Sequence, residues 1–532
     1  MVSKLPDKLG ELAVAIGHQV RSFRSQKDMT AVDCAKQANL SIERMSEMNK
    51  LNEKKKNQPD EAIDNPRREF LKISGAGLAV AGIAPAVAGL PSAARAETNG
   101  YDVVVVGGGF AGVTAARDSS NRGLKTLLLE ARPRLGGRTF TTSFDGHDVD
   151  LGGTWIRWAQ PSVWAEMSRY GLEVTESAAA SAEQSIWMEG DNRVVGSYAE
   201  WAEIYGSASA LYYEPAREYL PRPFDPLYRG EFGNLDKMTA REAVEKLDLT
   251  SVQKDLMLAA VAIMSHAPSD KSSHLDQLRW YALSEYNLWN MWDNISRYRV
   301  AGGTKALIDQ MAAEGRFETR LGEPVSAISQ EDDDATVTTK RGEQIRTRTV
   351  IVALPLNCIQ DVQFSPAISK VKLDASREGH TGSGTKVYMR TKGKHPVFLG
   401  HGKEEMPLTF GWTEYNDPEH QILCGFGASP SLLDVYDDDA VQGAFQRFMP
   451  DAELSASISY DWNLDPYSKG TWCMFPPGML TNSLKELQRP EGNVYFAGGD
   501  IANGWRGFID GAIESGAAVA RQVNQELTKK AV

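Results

Sequence analysis

Cysteine is scarce in this 532-residue chain. Cys34, Cys358, Cys424 and Cys473 are the whole complement, and no two stand at a spacing that binds a metal or forms a redox pair. Neither a disulfide scaffold nor a metal centre is expected. Positive charge is also short over most of the chain. Residues 1–96 hold 15 Lys and Arg against 11 Asp and Glu; the remainder holds 43 against 59, a net charge of −16. A body this acidic repels phosphate backbones, which sets nucleic-acid binding aside for it. Beyond residue 96 no stretch is long and apolar enough for a stable membrane span, and no internal repeat or low-complexity tract occurs. What is present is 42% hydrophobic residues with 12 Trp, enough for large cores, at a length that favours two domains plus appendages.

Residues 66–96 read as an address. Arg67-Arg68-Glu69-Phe70-Leu71-Lys72 precedes a weakly apolar, Gly/Ala-rich run from Ile73 to Leu90, and Ala94-Arg95-Ala96 offers small residues for cleavage. The run contains Gly75, Gly77, Gly82, Pro85 and Gly89, which suits it poorly to a membrane anchor. The pattern resembles a twin-arginine signal, which implies export of a folded, cofactor-loaded protein to the periplasm. Residues 1–65 form an unusual extension ahead of it. Ile16 to Leu51 has helical spacing and partly resembles the first helices of a repressor-type helix-turn-helix, dissolving into Lys54-Lys55-Lys56. An extended leader or a misplaced start codon is the plainer reading.

The body opens on a strand. Tyr101 to Val106 is β-branched, as a buried parallel strand is, and leads into Gly107-Gly108-Gly109-Phe110-Ala111-Gly112 and a helix through Arg117. A second strand, Leu124 to Leu129, ends at Glu130, 18 residues after Gly112. A glycine triplet alone is a weak signal; flanked by two strands, with an acid at that distance, it specifies a dinucleotide site. Gly107 permits the tight turn, Gly109 lets a pyrophosphate approach the backbone with Phe110 and Ala111 opening the helix, and Gly112 lets helix and strand pack closely. The helix N-terminus attracts the phosphates. Glu130, with Ala131 and Arg132 beside it, is placed to accept from adenosine ribose hydroxyls.

Further motifs separate FAD from NAD. Leu135-Gly136-Gly137-Arg138-Thr139 is a second glycine pair bracketed by Arg132 and Arg138, and Leu151-Gly152-Gly153-Thr154-Trp155 follows it. Asn493-Val494-Tyr495-Phe496-Ala497-Gly498-Gly499-Asp500 is a strand entering a glycine turn, and a helix begins near Ile509. In this order the motifs resemble the flavin monoamine oxidase family over roughly residues 100–527. The resemblance implies an α/β fold with a Rossmann-like FAD-binding domain interleaved with an α+β substrate domain. The expected FAD-binding parts are 97–160, 297–356 and 476–532; the substrate parts are a helical segment at 161–296 and a sheet at 357–475. It also implies FAD contacts at Gly153, Thr154, Trp155, Val325, Trp462, Gly499, Asp500, Gly507, Phe508 and Ile509. Within the family, Pro221 to Pro226, Asp461 to Pro466, Ser468 to Cys473 and Ala502 to Phe508 are most similar to the bacterial nicotine-pathway amine oxidases. Arg157 departs from that group's His.

The resemblance carries a chemistry. A neutral amine gives up a hydride equivalent from its α-carbon to the flavin, and water hydrolyses the imine product to a carbonyl. The protein's part is to orient the C–H bond and keep the site dry. Trp472 and Phe508 are implied as an aromatic pair facing the flavin, and Lys386 as a lysine bonded through water to its reactive nitrogen. The substrate implied is a primary or secondary amine, such as the pyridyl-alkyl amines pseudooxynicotine or nicotine. The FAD is expected to be non-covalent, since Thr471 stands where covalent relatives carry their attaching cysteine. Oxygen or a periplasmic cytochrome is the expected electron acceptor, and a homodimer is one candidate assembly. Two rivals stay open: an L-amino-acid oxidase, with Arg157 as a carboxylate clamp, and a flavin-bound regulator using residues 12–51 on DNA. N-terminal sequencing of the exported protein should find a mature chain starting at Glu97; one starting near Met1 would refute the signal.

Overall fold

The computed structural model describes residues 100–530. The expected signal at 66–96 and the extension at 1–65 lie outside them. Val103, Val104, Val105 and Val106 are buried because their strand, Tyr101–Val106, is central: it pairs in parallel with Gln344–Val352 on one side and Thr126–Glu130 on the other. The sheet runs Gln363–Ser365, Val325–Glu331, Asp334–Thr339, Gln344–Val352, Tyr101–Val106, Thr126–Glu130, Glu318–Leu321, with Val494–Phe496 also pairing Gln344–Val352. Strands from three distant stretches of chain therefore build one dinucleotide-type sheet.

The first helix, Phe110–Asn121, leaves the sheet through Gly107, whose φ is +107°. A Cβ on Gly112 would stand 1.8 Å from the Gly107 carbonyl oxygen, so only glycine lets helix and turn meet. The C-terminal helix Ile509–Lys529 packs on the other side of it, and there a Cβ on Gly516 would stand 2.3 Å from the Ala111 carbonyl oxygen. The two helices touch at backbone distance, which brings residues some 400 positions apart to one place.

A second, seven-stranded sheet runs Leu454–Ser459, Thr385–Thr391, Gln421–Gly427, Phe410–Asn416, Phe398–His401, Gln184–Glu189, Asn192–Gly196. Its boundaries differ from the sequence reading in two places. The hairpin Gln184–Gly196 lies in a stretch expected to be helical. Ser185, Ile186, Trp187 and Met188 are all buried, so the strand shows no alternation that would mark it. Gln363–Ser365, expected in the substrate sheet, instead edges the dinucleotide sheet beside Val325–Glu331. Helices Tyr198–Tyr213, Ser251–Ser265, His274–Leu283 and Leu288–Ser296 are the longest elements of 161–296 besides the helix Pro161–Tyr170. No helix among the described residues is long and apolar enough to cross a membrane.

One charged cluster ties the helical layer to the C-terminal loop. Asp276, Arg279 and Arg506 have no exposed side-chain surface. Asp276 accepts from Arg279 Nε at 3.1 Å, from Phe475 N at 2.8 Å and from Arg506, while Arg279 donates to the Gly504 and Arg506 carbonyls. The two guanidiniums hold the Asp276 carboxyl below its usual range despite burial, which acts the other way. Asp276→Ala should leave two buried cations without their anion. Urea unfolding should show a loss of about 3–5 kcal/mol; a change under 1 kcal/mol would deny the cluster this role.

Candidate active site

A cavity of about 990 Å³ runs between the two sheets, at the upper end of the range for small-molecule sites. At one end lie the glycine turns. Glu130 is buried at the end of its strand, and its carboxylate accepts from Gly108 N at 2.6 Å and Arg132 N at 2.8 Å. Those bonds aim the acid at the space above the turn. A Cβ on Gly109 would meet nothing closer than Gly137 Cα at 3.8 Å, so the backbone there is open to a ligand. Gly136 and Gly137 have φ of +109° and +60° and close over Gly109 from the second glycine pair. Gly107, Phe110, Ala111, Ala131, Arg132, Gly137, Arg138 and Val325 line this end. Arg132 is held by Asp465 at 2.7 Å.

Two predicted cofactor residues stand behind the wall, outside the lining. Gly112 serves the helix–turn contact described above. Asp500 is buried, ion-pairs with Arg138 and accepts from Leu356 N at 2.9 Å. Its contact with the cavity is through Arg138, which also donates to the Thr471 carbonyl at 2.8 Å. Arg138 and the Leu356 amide hold the Asp500 carboxyl low against burial.

At the other end Gly153, Thr154, Trp155, Lys386, Trp462, Trp472, Gly499, Gly507, Phe508 and Ile509 share the lining. Trp462 donates to the Leu151 carbonyl at 2.9 Å. Lys386 sits on strand Thr385–Thr391 and is buried. Its ammonium donates to the Asp150 carbonyl at 2.6 Å, Thr154 Oγ1 at 2.7 Å and the Gly152 carbonyl at 3.1 Å, 4.7 Å from the centre of the Trp155 ring. Burial pushes it down to about 8, with Arg299 nearby adding to the effect. Gly507 has φ of +90°, and a Cβ there would strike the Cys473 carbonyl oxygen at 2.5 Å. Glycine thus lets the chain turn so that Phe508 faces the cavity ahead of helix Ile509–Lys529.

Sequence reasoning missed much of this end. Trp412, Phe426 and Trp155 form a mutually touching aromatic group, with ring centres 5.4–5.7 Å apart, and Phe426 also meets Trp472 edge-on at 5.6 Å. Trp280 touches Phe508 at 4.7 Å, and His266 stacks on Trp472. These residues come from separate strands, helices and loops along the chain, with no shared motif to mark them. Arg157 is absent from the lining. It donates to Asn290 O and Asn294 Oδ1, lies 3.4 Å from Asp293 and stacks on Trp158. Each arginine that does line the cavity (Arg132, Arg138 and Arg297) has a carboxylate partner.

An open glycine cradle over a buried, aimed carboxylate, continuous with an aromatic chamber, fits a flavin dinucleotide. The family pattern described as flavin containing amine oxidoreductase matches residues 110–524. The chain belongs to that family. It is 44% identical to pseudooxynicotine dehydrogenase of Pseudomonas sp. over 436 residues, covering 81% of this chain and 87% of that one. It is 36% identical to nicotine dehydrogenase of Pseudomonas putida (strain DSM 28022 / S16), over 87% of this chain and 98% of that one. Cyclohexylamine oxidase from Brevibacterium oxydans IH-35A shares the fold at a TM-score of 0.68 and 21% identity, covering 81% of this chain and all of that one. This amine oxidoreductase should lose flavin when Glu130 is truncated. Glu130→Ala removes charge-assisted hydrogen bonds of roughly 2–4 kcal/mol in total. Flavin occupancy after extensive dialysis should fall well below that of the parent protein; unchanged occupancy would contradict the assignment.

Proposed function

We propose that this flavoenzyme oxidises a primary or secondary amine carrying a flat ring, of the pyridyl-alkyl class, to an imine that hydrolyses to a carbonyl. The carrying observation is the aromatic chamber around Lys386, whose walls offer apolar faces and no unpaired arginine among the described residues. Such a site favours the neutral amine over its ammonium and ring bulk over a carboxylate. The names of the two bacterial relatives, which act on pyridine-bearing amines, support the same class. The amino-acid oxidase reading loses its clamp, because Arg157 is turned away and neutralised by Asp293.

Bound FAD supplies the acceptor for the hydride equivalent. The chain's residues hold and shield. Trp472 and Phe508 wall the substrate, Lys386 offers a proton-bearing nitrogen beside the chamber, and the apolar lining excludes water. We take the FAD as non-covalent: Cys473 is wholly buried and outside the lining, while Thr471 occupies the wall. The acceptor is oxygen or a periplasmic cytochrome, and the word dehydrogenase in both relatives' names favours the second. Export through the signal at 66–96 belongs to the same proposal.

Stopped-flow reduction of the holoenzyme by a pyridyl-alkyl amine tests the reading. The rate should rise with pH as the free-amine fraction grows. Phe508→Ala should keep FAD yet reduce about ten- to a hundredfold more slowly, from the ~1–3 kcal/mol of one lost aromatic wall. Reduction by α-amino acids in place of the amine would overturn the proposal.

A further inference from the structure

His266 belongs to no recognised motif, yet contacts from both its backbone and its ring fix it. It ends helix Ser251–Ser265 with φ of +49°, in the left-handed region that non-glycine residues seldom adopt. Its carbonyl accepts from Ser383 N at 2.7 Å and Gly384 N at 2.6 Å, immediately before the strand that carries Lys386. Its ring Nε2 lies 2.9 Å from the Thr385 carbonyl and its Nδ1 2.9 Å from Thr471 Oγ1. A carbonyl only accepts, so Nε2 bears the proton, and Nδ1 accepts from the Thr471 hydroxyl. The ring stacks on Trp472 with centres 4.1 Å apart and planes 3° apart, and meets Phe426 edge-on at 5.1 Å. A Cβ on Gly384 would fall 2.3 Å from the ring, so the neighbouring strand leaves room for it only through glycine.

A residue held in strained backbone and bonded at both ring nitrogens has one orientation. The Trp472 side chain has a single hydrogen bond, from Nε1 to the Met264 carbonyl at 2.9 Å, which anchors one edge and leaves the tilt of the ring to the rings packed on it, His266 face to face and Phe426 edge-on. We infer that His266 is a positioning residue that sets the plane of Trp472 and thereby selects amines bearing a flat ring. The inference rests on the proposed amine oxidation and assigns part of its substrate selectivity. Burial pushes the imidazole down to about 3, with Lys386 lowering it further against the Thr385 bond. The stacked ring is therefore neutral throughout the working range and brings no charge to the chamber.

The test is a double-mutant cycle on holoenzyme, with His266→Asn, Trp472→Ala and both, because asparagine tolerates the left-handed backbone. His266→Gln, which keeps an amide for the Thr385 carbonyl, replaces it if the first variant does not fold. His266→Asn should slow saturating flavin reduction by a pyridyl-alkyl amine about tenfold. It should slow a ring-free alkylamine far less and leave FAD content unchanged. Once Trp472 is alanine, the same change should have little further effect. Equal slowing of both amines, or rate effects that multiply, would overturn the inference. If neither amine reduces the parent enzyme, the proposed function fails by itself. The cycle is then read from urea unfolding, where additive losses at 266 and 472 refute the coupling and non-additive losses uphold it.

Discussion

The contact on which the rest depends is the backbone-to-backbone meeting of helix Phe110–Asn121 with the Gly107 turn on one side and with helix Ile509–Lys529 on the other. Three glycines make it possible: Gly107 by its positive φ, and Gly112 and Gly516 by lacking a Cβ where a carbonyl oxygen stands. The contact places the glycine cradle and the Gly507–Phe508 corner on one cavity although most of the chain separates them. Dispersion and apolar burial stabilise it, and sterics make it specific, since any side chain at Gly112 or Gly516 would push a helix off the sheet.

Buried polar groups then set angles that packing alone leaves free. The Asp276–Arg279–Arg506 cluster grips the loop before Phe508. Asp150 does similar work at the lysine. Its carboxylate accepts from Thr304 N and Oγ1, while its carbonyl receives Lys386 and Tyr388. Each such group would be costly if unpaired, so each is a strong constraint on the segments it joins. The cavity walls inherit their precision from these clamps, which come from residues with no direct reach to substrate.

The chamber joins two physical demands. Hydride loss from an amine needs the neutral base form, and an apolar lining favours it. The same lining also holds the Lys386 ammonium, and burying a lysine among aromatic faces is unfavourable. Three acceptors from the segment Asp150–Thr154 offset that cost and hold Lys386 in one place, at a proton affinity lowered toward neutrality.

The dinucleotide half was legible in the sequence because its physics is local. A tight turn, a helix start and an acid one strand later occupy consecutive residues, so Gly107 to Gly112 and Glu130 declare themselves by spacing. The implied Trp472, Phe508 and Lys386 were reached by resemblance, and the structure sets them on one cavity. The hairpin Gln184–Gly196 was hidden because burial on both faces erases alternation. Arg157 looked like a clamp because chain neighbours, not direction, were all that could be read. The sequence by itself determined the cradle and its ligand class. Only the tertiary structure decided which aromatics meet, which way Arg157 points and that His266 backs Trp472, because those contacts join segments whose separation along the chain carries no periodic trace.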